Sequence, residues 1–325
     1  MKAVLCKAYG PPDSLVVEDV PSPTAGPGEV VITVKAAGVN FPDVLIIENK
    51  YQVKPPLPFS PGSEVAGLVK AAGDGVADWK PGDAVSAITA YGGFAEEVKT
   101  DARRLVPLAD GMDFAVAAAF GLTYATSEHA LRDRGQLRAG ETLLVLGASG
   151  GVGLAAIEIG KVIGARVIAC ASTDEKLEVC RAHGADATIN YAAEDLRERI
   201  RALTDGRGAD VVYDPVGGPY TELALRSIAW RGRLLVVGFA AGEIPRIPLN
   251  LTLLKNCSIV GVFWGEFTRR EPRNFADELR VLVGWYTQGK LKPHVSATFP
   301  LERAADALRL MADRKVTGKI VITMS

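Results

Sequence analysis

The sequence predicts an α/β protein in which a parallel, doubly wound sheet is inserted in a β-rich domain. Three observations carry this expectation. Short apolar strands alternate with helical patterns from residue 142 onward, a glycine cluster occupies the first strand-to-helix turn, and residues 2–110 are rich in strand patterns broken by Pro and Gly. Strands joined by helices must pair in parallel, because right-handed crossovers place each helix on a face of the sheet.

In chain order, alternating or apolar segments predict strands at Ala3–Leu5, Leu15–Val20, Val30–Ala36, Glu64–Ala71 and Ala84–Ile88. Turn signals such as Tyr9-Gly10-Pro11-Pro12 and Lys80-Pro81-Gly82-Asp83 separate them. A helical turn is expected near Asn40, whose side chain suits capping of the first N–H groups. Helical patterns follow at Phe114–Phe120 and, after a break at Gly121, at Thr123–Arg134. Six strands are then expected, at Leu143–Leu146, Arg166–Ala169, Ala187–Ile189, Asp210–Tyr213, Arg233–Val237 and Ser258–Phe263. The helices between them are expected at 152–163, 174–182, 193–203, 219–229 and 250–255. Helical patterns at Arg273–Gln288 and Leu301–Asp313 and a closing strand at Lys319–Thr323 most simply return to the N-terminal domain. The expected domains are therefore 1–121 with 264–325, and 122–263.

Composition narrows the function classes. The 325 residues are 48% apolar and 23% charged, ordinary for a globular protein of two domains. Lys plus Arg number 37 against 38 acids, so no global field favours nucleic acid or an anionic membrane. No apolar run reaches spanning length and the N-terminal one is too short for a secretory signal, which leads to an expected cytoplasmic location. Cys6, Cys170, Cys180 and Cys257 lie far apart without a C-x-x-C pair, so neither a disulfide framework nor a cysteine zinc site is expected. His129, His183 and His294 lack metal spacing and read as surface or satisfied core positions.

The glycine turn carries the chemistry. The run Leu143-Leu144-Val145-Leu146 stops at Gly147 and opens into the helical pattern Leu154-Ala155-Ala156-Ile157. Ala148-Ser149-Gly150-Gly151-Val152-Gly153 matches the dinucleotide pattern G-x-G-x-x-G with its first glycine replaced by alanine. Such a turn lets a phosphate approach the main chain, with helix N–H groups and the helix dipole facing it.

The second strand decides which dinucleotide. An NAD site places an acid on the adenosine ribose about twenty residues beyond the glycine turn. Here Ser172 stands at the strand tip and Lys176 one turn on, a hydroxyl and an ammonium that suit a 2′-phosphate. NADPH is the expected cofactor, although Asp174 leaves room for NAD and Ser172 with Glu175 also reads as a capping box. Tyr191, just past the third strand, is a further candidate neighbour of that phosphate. Gly238 and Phe239 end the fifth strand, where open α/β sheets bind ligands. Phe263, with Trp264, ends the sixth and is a candidate pocket wall.

Several motifs together resemble the zinc-free quinone oxidoreductase branch of the medium-chain dehydrogenase/reductase superfamily. They are Ala37-Gly38-Val39-Asn40-Phe41-Pro42-Asp43, Pro61-Gly62-Ser63-Glu64-Val65-Ala66-Gly67, Gly121-Leu122-Thr123, the glycine turn, Asp214-Pro215-Val216-Gly217-Gly218 and Gly318-Lys319-Ile320-Val321. The likeness covers nearly the whole chain and implies a Rossmann domain within a GroES-like catalytic domain. It also implies that Asn40 and Asp43 lie near the nicotinamide ribose and reacting face, Thr123 near the nicotinamide and Tyr51 near the substrate mouth. Lys176, Tyr191 and Arg314 are implied around the 2′-phosphate, and pairing of sixth strands in a homodimer is implied at Ser258–Phe263.

Departures from the zinc alcohol dehydrogenases of that superfamily set the expected chemistry. Those enzymes have cysteine where this chain has Asn40, and histidine where it has Ser63. Glu64 alone cannot meet the four-coordinate demand of zinc, so no metal is expected. Hydride addition to an acceptor activated by conjugation, a quinone or an α,β-unsaturated carbonyl, needs no Lewis acid. The expected function is thus an NADPH-dependent reductase of such small molecules. The alternatives are an enoyl-thioester (CoA) reductase and an NADPH-binding protein with little turnover.

Overall fold

A computed structural model of the chain describes residues 1–324. The chain divides into two compact units, Met1–Leu122 with Pro293–Ser325, and Thr123–Lys292. Residues 264–292, expected in the first domain, therefore belong to the second unit. The helix Trp264–Arg270, which the sequence pattern does not announce, and the helix Pro272–Thr287 tie this stretch there. The buried Trp264 ring meets Phe275 edge-on at 5.6 Å between centroids.

The first unit is built on Glu29–Val39, an eleven-residue strand that is buried at most positions. It pairs antiparallel with Glu64–Ala72, with Lys319–Thr323 and with Glu97–Asp101. Val30, Ile32 and Val34 point into a core shared with Val65, Phe94, Ile320 and Ile322. Ala36 lies in a second cluster with Ala66 and Val321, so the strand is buried on both faces. The register builds one end of the sheet: Ile320 opposes Val39 and Gly38 opposes Glu64, so Lys319, Asn40 and Glu64 converge there.

Three further strands in this unit, Glu97–Asp101, Leu105–Pro107 and Val295–Pro300, were not expected. Each is short or buries few side chains; in Glu97–Asp101 only Val98 and Thr100 are buried. Their apolar signal is correspondingly weak. Of the helical pattern Phe114–Phe120, only Phe114–Ala117 is an α-helix, capped by the Asp113 carboxylate. Gly121 starts the next helix instead of breaking it, because the buried Glu64 carboxylate accepts the Leu122 N–H at 2.8 Å and caps that end. This helix ends at Glu128 and passes into a π-helix over His129–Arg134.

The second unit holds six parallel strands in the order Ala187–Asn190, Arg166–Ala171, Thr142–Val145, Ala209–Asp214, Ile228–Val236 and Ser258–Gly261. The strand order reverses beside Thr142–Val145, the doubly wound arrangement expected from the alternation. The helices Asp174–Ala182 and Asn250–Lys255 match expectation, whereas 193–203 begins at Leu196 and 219–229 ends at Arg226. No helix among the described residues is long and apolar enough to cross a membrane.

Candidate functional site

In the second unit the strand Thr142–Val145 leads into the glycine turn and the helix Gly151–Ile163. No side chain caps this helix at Gly150, which leaves its first N–H groups for an anion. Gly153 is required by close packing: a Cβ there would lie 2.6 Å from the carbonyl oxygens of both Gly147 and Ala148. Ala148, where the pattern asks for glycine, is fully buried and donates its N–H to Cys170 O at 2.9 Å. Ser149 is buried beside it, and the Val152 carbonyl is held by the Ser127 hydroxyl at 2.9 Å.

The tip of the second strand differs in one respect from the sequence reading. Thr173, and not Ser172, caps the helix Asp174–Ala182, accepting the Lys176 N–H. The capping-box alternative for Ser172 therefore falls away, because the helix starts one residue later than that box requires. Ser172 and Lys176 are both half-buried at this tip. The Asp174 carboxylate accepts a hydrogen bond from the Asn190 amide at 2.9 Å. Tyr191 donates its N–H to Ala171 O and packs on Tyr220, with ring centroids 4.3 Å apart.

At the ends of the fourth and fifth strands, the buried Asp214 carboxylate organises the loop Pro215–Gly218. It accepts the N–H groups of Val216 and Gly217, each at 2.9 Å, and the Thr221 hydroxyl at 2.5 Å. Gly238 donates to Asp214 O at 3.3 Å. Phe239 and Phe263 are exposed, whereas Trp264 is buried at the start of a helix and faces no open surface.

Two polar clusters in this unit are invisible in the sequence pattern. Glu158, on the glycine-turn helix, accepts from Tyr124 Oη at 2.7 Å and from Lys292 N at 2.9 Å, and pairs with His183 Nδ1 at 2.6 Å. Thr123, the residue before Tyr124, is buried. Glu128 and Glu278 are both buried, and burial pushes each carboxyl up to about 7. His129 beside them is buried and stacks on Phe267, with Nδ1 3.3 Å from Asp133 Oδ2 and 3.4 Å from Glu278 Oε1.

In the first unit Asn40, Asp43, Ser63, Glu64 and Lys319 are all buried. Asn40 is the N-cap of the helix Phe41–Ile47, and the Asp43 carboxylate at the third helical position accepts the Asn40 N–H at 2.7 Å. Lys319 Nζ donates to Asn40 Oδ1 at 2.5 Å. Asn40 Nδ2 donates to Gly38 O and Glu64 Oε2, each at 3.3 Å, and Lys319 Nζ also reaches Glu64 Oε2 at 3.3 Å. Burial raises the Asp43 carboxyl to about 7, against the opposing pull of the Asn40 N–H, Lys319 and the Ser63 hydroxyl. Tyr51 is half-buried against the core, and burial, reinforced by the Asp43 charge, raises its phenol. Arg314 follows the helix Ala304–Ala312 of this unit, in the left-handed region at φ 57°.

Two family models match the chain: an alcohol dehydrogenase GroES-like domain over residues 26–110 and a zinc-binding dehydrogenase over residues 151–281. Over its length the chain is 40% identical to a quinone oxidoreductase-like protein 2 homolog of Nematostella vectensis, covering 99% of this chain and 88% of the relative. A quinone oxidoreductase of Pseudomonas aeruginosa is 36% identical, with 99% of each chain covered. Among solved structures, Escherichia coli quinone oxidoreductase complexed with NADPH superposes with a TM-score of 0.94 at 28% identity, covering 99% of this chain and all of the other. The chain belongs to the quinone oxidoreductase family of the medium-chain dehydrogenase/reductase superfamily.

A dinucleotide and a zinc ion fit these residues unequally. A dinucleotide suits the uncapped glycine turn, whose close packing at Gly153 leaves the main chain bare. Zinc does not suit Asn40, Ser63 and Glu64: an amide and a hydroxyl replace thiolate and imidazole, and the one carboxylate is already hydrogen-bonded to Lys319 and Leu122. Among the described residues no group of three or more His, Cys, Asp or Glu could hold a metal ion.

Proposed function

We propose that the protein is an NADPH-dependent, zinc-independent oxidoreductase that delivers hydride to a quinone or an α,β-unsaturated carbonyl. The observation that carries this reading is the occupied Glu64 carboxylate between Asn40 and Lys319, where a Lewis acid would need free ligands. Bound NADPH supplies the hydride. The glycine turn Ala148–Gly153 seats the pyrophosphate on the uncapped N–H groups. Ser172 and Lys176 take the 2′-phosphate with Tyr191 alongside, because Asn190 already holds the Asp174 carboxylate and lessens its repulsion. The resemblance adds Arg314 to that phosphate, and Gly238, Phe239 and Phe263 to the nicotinamide side.

Asn40, Asp43, Tyr51 and Thr123 are assigned to the reacting face. Reduction of the acceptor takes up a proton as well as a hydride, and burial raises the Asp43 carboxyl to about 7, so that it retains protons nearer neutrality than an ordinary carboxyl. Asp43 is thus suited to hold the proton, with Tyr51 as the nearby hydroxyl. A homodimer through the edge strand Ser258–Gly261 completes the proposal. It is supported by the exposed Ile259 and Phe263 and by the exposed leucines 249, 253 and 254.

The test is nicotinamide oxidation with 1,4-benzoquinone, an alkenal and crotonyl-CoA, each with NADPH and with NADH. Acceptor-dependent NADPH oxidation with the first two supports the reading. Turnover confined to crotonyl-CoA would make it an enoyl-thioester reductase. Tight NADPH binding without turnover on any acceptor would make it a binding protein.

A further inference from the structure

The register of the central sheet brings Lys319 and Asn40, 279 residues apart, into direct contact. Lys319 is 4% exposed and Glu64 1%, and two charges withdrawn from water to this degree are costly unless every donor and acceptor is satisfied. The geometry meets that condition. The three hydrogens of the ammonium go to Val39 O at 3.1 Å, Asn40 Oδ1 at 2.5 Å and Glu64 Oε2 at 3.3 Å. With its oxygen taken by an ammonium, the Asn40 amide has one possible orientation, since a flip would set NH2 against NH3⁺. Its two N–H groups then face Gly38 O and Glu64. Glu64 Oε1 closes the set by accepting the Leu122 N–H, from the residue before Thr123. Space for the carboxylate comes from Gly38, where a Cβ would lie 2.0 Å from Ala118 O and 2.9 Å from Glu64 Oε2.

A single buried cation thus touches the two side chains that stand at, or remain from, the metal-ligand positions of the zinc enzymes, and orders both. We propose that Lys319 is the positioning residue of this site, its ammonium taking the organising place of a metal ion by fixing the Asn40 amide and the Glu64 carboxylate. The inference rests on the reading above that Asn40 and Asp43 border the reacting face. It adds to that reading a group outside the reacting set on which their geometry depends. The charge also reaches Asp43, which faces the Asn40 N–H, Lys319, Ser63, Glu64 and Tyr51. Among the influences on the Asp43 carboxyl, the downward pull of Lys319 outranks the upward push of Glu64.

The test uses the full-length protein with Lys319→Met and the neutral double variant K319M/E64Q. The single variant strands a buried carboxylate and loses thermal stability. The double variant removes both charges and recovers that stability, so it separates positioning from mere packing. We expect kcat of the folded double variant to fall about tenfold or more, the worth of a charge-assisted hydrogen bond, with KM for NADPH within about twofold of wild type. A carbon NMR titration of the Asp43 carboxyl in the double variant should also move to higher pH, because the stronger of two opposing charges has gone. This readout needs no turnover, so a wild-type protein inactive on every acceptor would sink the reductase reading while leaving Lys319 to be judged by the titration. Wild-type kcat in the folded double variant, or an Asp43 titration that stays in place, would overturn the proposal.

Discussion

The amide of Asn190 holds the carboxylate of Asp174 at 2.9 Å, which turns the acid next to the second-strand tip toward the third strand. In the proposed function, coenzyme choice then depends on Ser172 and Lys176. Lys176→Ala should lower NADPH affinity by about tenfold to a hundredfold while leaving NADH affinity near wild type, the range for one charged hydrogen bond to phosphate. Asn190→Ala should shift the ratio the same way by less, by freeing a carboxylate to repel the phosphate. Fluorescence titration with both coenzymes checks this; an unchanged ratio in Lys176→Ala would mean the 2′-phosphate is held elsewhere.

Gly153→Ala should remove coenzyme binding and destabilise the second unit. The added Cβ meets two backbone oxygens at 2.6 Å that cannot move without opening the glycine turn. Overpacking of this kind costs about 1–3 kcal/mol, read as a lower midpoint in chemical unfolding.

The legible part of the molecule is the part written in local pattern. The six-stranded sheet, the glycine turn and the helix at 174–182 follow from apolar runs and turn residues, and the structure has them nearly where expected. What stays hidden depends on contacts far apart in the chain. Lys319 is visible in Gly318-Lys319-Ile320-Val321, but nothing local says that its ammonium takes the oxygen of Asn40. Glu158 stands as the lone acid in the apolar run Leu154-Ala155-Ala156-Ile157-Glu158-Ile159, and nothing local says that it joins Tyr124, His183 and the Lys292 peptide. The break expected at Gly121 falls at residues 118–120 for the same reason, since Glu64 caps the helix that Gly121 starts. The sequence pattern puts the return to the first domain at residue 264 because the helical patterns beyond it do not extend the strand–helix alternation, whereas the packing of Trp264 on Phe275 is a tertiary contact.

The carboxyls of Glu128 and Glu278 should make stability pH-dependent in a defined window. Both stand near 7 in the folded protein against an ordinary value of 4.5, chiefly through burial. The folded state therefore holds their protons more tightly than the unfolded chain. Their contribution is fully present below about pH 4.5, is lost as pH rises toward about 7, and is flat beyond. Glu278→Gln should flatten the fall over that window and raise the melting temperature relative to wild type at pH 8. Calorimetry across the range checks it, and a parallel displacement of the whole curve would show that the pair does not titrate there.

If the edge strand Ser258–Gly261 is the subunit contact, Ile259→Lys should convert the protein to a monomer. The substitution places an ammonium on an otherwise unpaired strand edge, a standard obstacle to strand pairing. Sedimentation velocity reads the outcome directly, and an unchanged dimer would move the contact to another surface.

The central claim is hydride transfer from NADPH without a metal, and the most direct measurement is turnover after metal removal. Protein dialysed against a strong chelator, with its zinc content determined, should retain full acceptor-dependent NADPH oxidation while holding far less than stoichiometric zinc. Stoichiometric zinc in the purified protein, whose removal abolishes turnover and whose return restores it, would contradict the account.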